Sequence, residues 1–185
     1  MQSRDLAIVE VHAGELSPAE SAQVETIFFE ASGRTFAPGP ERAVFRERWL
    51  GRFLRGGTDV VLLAVEGTET VAGYLVGALE DPTQQPRFAD ISYFARDFRD
   101  LCRRYPAHLH INLAPAFRNR SVGVQLIEAF AARASDAGAP GMHVVTGKQA
   151  RNISFYKRCG FSQVGATVWS GSDIVFLGRS LPASA

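Results

Sequence analysis

Cysteine is scarce in this chain: Cys102 and Cys159 are the only two among 185 residues. Two cannot build a disulfide framework, so an apolar core has to hold the fold together. One lies beside an apolar helical pattern and the other at a helix end, and both read as reduced thiols of a cytoplasmic protein. Long apolar runs are missing as well. No stretch approaches the roughly 20 apolar residues of a membrane span, and the opening MQSRDLAIVEV has no apolar run of signal-peptide length. The expectation is a soluble, intracellular protein that spans no membrane. Neither sign of charge is in excess: 20 Lys and Arg stand against 19 Asp and Glu, a formal net charge of +1. No molecule-wide field therefore draws the chain to nucleic acid or an acidic membrane, and any basic patch is local. Repeats, linkers and low-complexity tracts are absent. The 46% hydrophobic and 21% charged composition is that of a folded globular protein, and the length suits a single domain, 1–185.

The order of elements follows from periodicity. Leu6 to Val11 is a short apolar run with β-branched residues and reads as a strand. Ser17-Pro18-Ala19-Glu20 then supplies an N-cap, a first-turn proline and an acid at the third helical position. In the helix that follows, Ala22, Val24, Ile27, Phe28 and Ala31 recur at helical spacing, and Gly33 ends it. Pro38-Gly39-Pro40 separates it from a second amphipathic stretch, Glu41 to Leu54, with Val44, Phe45, Trp49, Phe53 and Leu54 as its apolar positions. Asp59 to Glu66 and Thr70 to Leu79 form a buried antiparallel hairpin about Gly67. Glu80 to Tyr105 is long for a plain connection and carries Phe88, Tyr93, Phe94 and Phe98. It reads as a loop and short helix covering a site, which favours a closed pocket for a small, apolar or aromatic molecule; the same rings could equally be core.

Beyond it, His108 to Leu113 alternates like a strand, Ser121 to Ala137 has helical spacing, and Met142 to Thr146 is a further strand. Ala150 to Cys159 is a short helix stopped by Gly160. Phe161 to Trp169 and Ile174 to Leu177 are strands around a Ser170-Gly171-Ser172-Asp173 turn.

Two segments carry chemistry. Pro115-Ala116-Phe117-Arg118-Asn119-Arg120-Ser121-Val122-Gly123-Val124 joins a strand to a long helix, so its backbone amides can point at an anion bound where the helix begins, and Arg118 and Arg120 add charge there. Ala150-Arg151-Asn152-Ile153-Ser154-Phe155-Tyr156-Lys157-Arg158-Cys159-Gly160-Phe161 follows after a helix and a strand. Together they resemble the GNAT superfamily of acyl-CoA-dependent N-acyltransferases, whose members carry an Arg/Gln-x-x-Gly-x-Gly/Ala turn and a later Asn followed by Phe-Tyr-x-x-x-Gly-Phe. One departure is Ser121, which stands where the first glycine of the turn is usual; its side chain crowds a bound pyrophosphate or donates to it.

The resemblance implies an α/β (α+β) fold with a central mixed, mostly antiparallel, twisted sheet of about six to seven strands, flanked by about four helices on both faces. Residues 80–105 would be a substrate-covering insertion. It also implies acetyl-CoA as cosubstrate and no metal. The amides of Arg118, Asn119, Arg120, Ser121, Val122, Gly123 and Val124 would hold the pyrophosphate. Asn112, Leu113 and Ala114 would meet the pantetheine arm and acetyl carbonyl from the strand, Asn152 and Phe155 would meet the arm from the other side, and Tyr156 would lie near the sulfur. Many relatives form homodimers.

His108 and His110 lie two apart on a strand and share a face with Asn112. Ala107-His108-Leu109-His110 is similar to a string in the serotonin (arylalkylamine) N-acetyltransferases, where the matching histidines assist proton removal. An alkylamine of pKa near 10 is mostly a non-nucleophilic ammonium ion at neutral pH, and an imidazole of pKa about 6.5 accepts its proton. The expected reaction is direct attack of a small primary amine on the thioester, with an oxyanion stabilised by a strand amide near Leu113 and Tyr156 protonating the leaving thiolate. The alternatives are a non-catalytic acyl-CoA-binding domain and an enzyme acting on a protein terminus or lysine. Arg96, Arg99, Arg103 and Arg104 form a basic cluster near Tyr93 and Tyr105, but Asp97 and Asp100 interrupt it, and it reads as a solvated helix face that binds no nucleic acid.

Overall fold

The structure is a computed structural model that describes residues 6–12, 14–55 and 57–182. Among the described residues seven strands, β1 (Leu6–Val11), β2 (Val60–Glu66), β3 (Thr70–Ala78), β4 (Ala107–Leu113), β5 (Gly141–Gly147), β6 (Ser162–Trp169) and β7 (Ser172–Ser180), are hydrogen-bonded in the order β1-β2-β3-β4-β5-β7-β6. The β4–β5 pair is parallel; β1 with β2, β2 with β3, β5 with β7 and β6 with β7 are antiparallel. The helices among the described residues are α1 (Pro18–Ser32), α2 (Pro40–Trp49), α3 (Tyr93–Arg96), α4 (Arg99–Arg104), α5 (Val122–Asp136) and α6 (Ile153–Arg158). This is the mixed, mostly antiparallel α/β architecture expected. The chain divides into two compact units, Met1–Gly77 with His110–Phe130 and Ala78–Leu109 with Ala131–Ala185, and β4 and α5 contribute to both.

In the first unit, α1 begins with the reciprocal cap that its sequence spells. The Glu20 amide donates to Ser17 Oγ at 3.2 Å, and the Ser17 amide donates to the Glu20 carboxylate at 2.8 Å. These bonds hold the Glu20 carboxyl below its usual range, and Gly33 closes the helix in the left-handed region. Val24, Ile27 and Phe28 are buried, whereas Ala22 and Ala31 stay exposed. The second amphipathic stretch is not one helix. α2 stops at Trp49, and a 3₁₀ turn over Gly51–Phe53 follows. Glycine is a poor helix former, and the tighter three-residue period sets Leu50 and Phe53 on the same side, where both are buried. Val44, expected on the apolar face, is 57% exposed.

The second unit gives residues 80–105 the turns and short helices expected, with their aromatic rings turned inward. Two 3₁₀ turns, Pro82–Gln84 and Pro86–Phe88, lead into α3 and α4. Phe88, Tyr93, Phe94 and Phe98 are no more than 5% exposed, so these rings are core and do not line an open pocket. Aromatic side chains bury more apolar area than any others, which is why a segment rich in charge and proline still packs. The basic cluster is interrupted as its acids suggest: Arg96 pairs with Asp97 at 2.7 Å and Arg103 with Asp100 at 3.4 Å. β6 and β7 are joined through Ser170 and Gly171, both with positive φ, a shorter link than the four-residue turn expected. β7 lies between β5 and β6, pairing with each along its length.

Candidate active site

The turn before α5 is built by sterics that the sequence half reveals. The Phe117 amide donates to the Ala114 carbonyl and the Arg118 amide to the Pro115 carbonyl, so both are spent inside a 3₁₀ turn over Pro115–Phe117. Asn119 and Ser121 follow with φ 61° and 62°. Both lie in the left-handed region, which non-glycine residues seldom adopt. The Gln125 amide bonds to the Ser121 carbonyl at 3.1 Å. The amides of Val122, Gly123 and Val124 therefore stand ahead of the helical ladder, where the positive end of the 15-residue α5 lies. Seven amides were expected to face the anion; that of Arg118 is withdrawn from the set, and its guanidinium Nε donates to the Leu113 carbonyl at 3.3 Å. Likewise the Ala114 amide is used by the Ala72 carbonyl at 2.9 Å, so Ala114 has no amide to offer a ligand.

On β4 the two histidines have different surroundings. His108 is 3% exposed, with Phe88 edge-on at 4.7 Å and His143 stacked at 5.4 Å, its partner in the β4–β5 register. His143 Nδ1 donates to the Tyr105 carbonyl at 2.5 Å, which gives that ring a structural anchor. His110 is only partly exposed, and the rings of Trp49 and Phe53 meet it edge-on at 5.4 and 5.5 Å. Burial, aided by the charge of Arg52, drives its pKa down to about 4. The ring is thus neutral at physiological pH, with a nitrogen lone pair available. The parallel register of β4 with β5 comprises Ala107↔Met142 and His108↔His143, and Leu109–Leu113 continue the strand beyond it.

Asn112, on the His110 face, donates from Nδ2 to the Tyr74 hydroxyl at 2.8 Å. Tyr74 is 1% exposed, and burial raises its phenol well above the usual range despite that bond. Neither Tyr74 nor Arg52 stood out in the sequence. The only signal was one phenol in an otherwise aliphatic strand, and one arginine between apolar residues.

In the second unit, Asn152 immediately precedes α6 and accepts from Thr146 Oγ1 at 3.1 Å, which leaves its NH₂ group to donate elsewhere. Tyr156 is 5% exposed and packs against Phe155 and Phe161 at 5.3 and 5.6 Å. Burial first, and Cys159 second, push its phenol above the ordinary range, so it keeps its proton at every physiological pH. Cys102 and Cys159 are buried thiols, and burial pushes Cys102 up to about 12, which removes it as a nucleophile. Among the described residues no group of three His, Cys, Asp or Glu is placed to hold a metal ion. A surface cleft of about 450 Å³ in the first unit is lined by Ser17, Glu20, Gln23 and Glu69, and takes in none of the motif residues.

Residues 22–161 match the family model described as Acetyltransferase (GNAT) family, and the chain belongs to that family. It is an acyltransferase, and the family uses acetyl-CoA as its cosubstrate. The fold is similar to that of the protein in "Crystal structure of SsHAT", with a TM-score of 0.69 at 21% identity over 95% of this chain and 98% of the other. It is also similar to a GCN5-related N-acetyltransferase from Kribbella flavida, at TM-score 0.64 and 15% identity over 95% and 98%. An acyl-CoA N-acyltransferase from Pseudomonas aeruginosa gives TM-score 0.60 at 15% identity over 95% and 100%. No helix among the described residues is long and apolar enough to cross a membrane.

Proposed function

We propose that this acyltransferase acetylates a small primary amine in the cytoplasm by direct attack, with His110 as the group that receives the amine's proton. The observation that carries the reading is His110 itself: a neutral imidazole on β4, partly open, walled by Trp49 and Phe53. When bound, acetyl-CoA supplies an acetyl group activated as a thioester. The residues of this chain do the rest. The amides of Asn119 through Val124 take the pyrophosphate, Leu113 and the backbone before it take the pantetheine arm, and Asn152 donates to that arm, with Phe155 beside it.

A base of pKa about 4 is weak against an ammonium near 10. The same burial and the same Arg52 charge that depress His110 also depress an ammonium held beside it, so the amine loses its proton more easily there than in water. His108 is closed in by rings, and its part is to back the strand face; the first proton acceptor is His110. Tyr156 retains its proton and can donate a hydrogen bond to the departing sulfur.

Calorimetric titration with acetyl-CoA and CoA, followed by thiol release with 2-phenylethylamine, spermidine and a glycyl peptide, tests this. Amine-dependent release that falls roughly 10²–10³-fold in His110→Ala, with CoA affinity unchanged, is the expected result. Binding with no release on any amine would favour an acyl-CoA sensor. Release on the peptide alone would favour a protein-terminus acceptor.

A further inference from the structure

Asn112 keeps one end of its amide out of the fold. Its Nδ2 donates to Tyr74 Oη at 2.8 Å, with Oδ1 at the other end of the amide. Oδ1 has no hydrogen-bond partner among the described residues, although the side chain is only partly exposed. That oxygen is open to solvent and is a hydrogen-bond acceptor for an N–H or O–H group that comes to this face. Tyr74 is a rigid post for this arrangement: it is 1% exposed and sits on β3 next to Gly73, whose missing side chain faces Leu113 on the opposite side of the sheet.

Two residues along a strand is a rise of about 6.6 Å. His110 and Asn112 are two apart on β4 and so share a face, toward which both side chains project.

Resting on the reading of the chain as an amine acetyltransferase, we infer that Asn112 is the acceptor-positioning residue: its Oδ1 receives one N–H of the incoming primary amine and aims the nitrogen at His110, while Tyr74 holds the amide. The backbone of the same residue stays with the strand edge, and its side chain leaves the cofactor set implied by the family resemblance. A neutral amide suits the task. It orients the ammonium without holding the charge on it, whereas a carboxylate in the same place would stabilise the charged, unreactive form.

Steady-state kinetics on the fastest of 2-phenylethylamine, spermidine and a glycyl peptide test this. Asn112→Ala is expected to raise the KM for the amine about tenfold and leave the KM for acetyl-CoA within twofold. Tyr74→Phe is expected to raise the amine KM by a smaller factor. Asn112→Asp, which matches the native shape and guards against a folding defect, should shift the rise of kcat with pH upward by about one unit. An unchanged amine KM with a raised acetyl-CoA KM would return the side chain to the cofactor and overturn the inference, while the wild type stays active. A wild type that turns over none of the amines fails the enzymatic reading itself, and this one with it.

Discussion

Gly73 governs how closely β3 approaches β4. A Cβ built there would lie 2.3 Å from Leu113 Cδ2 and 2.9 Å from the Asn112 carbonyl oxygen. Gly73→Ala should therefore displace the strand that carries His110 and Asn112, lowering kcat/KM at least tenfold and stability by about 1–3 kcal/mol; turnover and urea denaturation measure the two effects. Ser121 is the opposite case, a side chain where the conformation favours none. Its φ of 62° costs a non-glycine residue about 1–2 kcal/mol. Ser121→Gly is expected to stabilise the protein by about 1 kcal/mol, since glycine's greater freedom when unfolded cancels part of the gain. It should also tighten CoA binding, measurable by calorimetry. The departure at Ser121 was visible in the sequence because a motif has fixed spacing. The Asn112–Tyr74 bond and the Arg52 charge on His110 were not, because each joins residues distant along the chain and exists only once the strand and the 3₁₀ turn are in place.

Among the elements, α1 was the most legible, because a capping box and a left-handed glycine are local chemistry that needs no tertiary partner. How α1 is tied to the hairpin was hidden. Gln23 Nε2 donates to the Glu69 carbonyl and its Oε1 accepts from the Val71 amide, both at 2.9 Å, so one side chain acts as a length of backbone at the start of β3. Gln23→Ala should cost about 1–2 kcal/mol in urea denaturation through loss of both bonds, with CoA affinity unaltered. Whether the rings of segment 80–105 face a pocket or the core was left open for a related reason. Its sequence has the charge and proline of a loop, and only its neighbours decide that four rings turn inward.

For the molecule as a whole, the number of strands and the family were readable, but the strand order was not, since pairing partners are set by packing and not by adjacency in sequence. The pH response is a property of the entire folding equilibrium. His110 has a folded pKa of about 4 against about 6.5 when unfolded. Between these values the unfolded chain binds more protons, so acidification favours it. The contribution is complete above about pH 6.5 and is lost progressively down to about pH 4, amounting to about 3 kcal/mol. Urea midpoints across that window should fall for the wild type and fall less for His110→Phe, which keeps a ring in the space. The Glu20 carboxyl, held below its ordinary value by Ser17, withdraws its support at lower pH still.

The place of β7 has a consequence for how the protein is made. β5 and β6 leave the ribosome first, yet neither touches the other in the sheet: both wait for residues 172–180 to enter between them. Until residues 172–180 are in place, the β5 edge that β7 covers is open and β6 has no partner in the sheet.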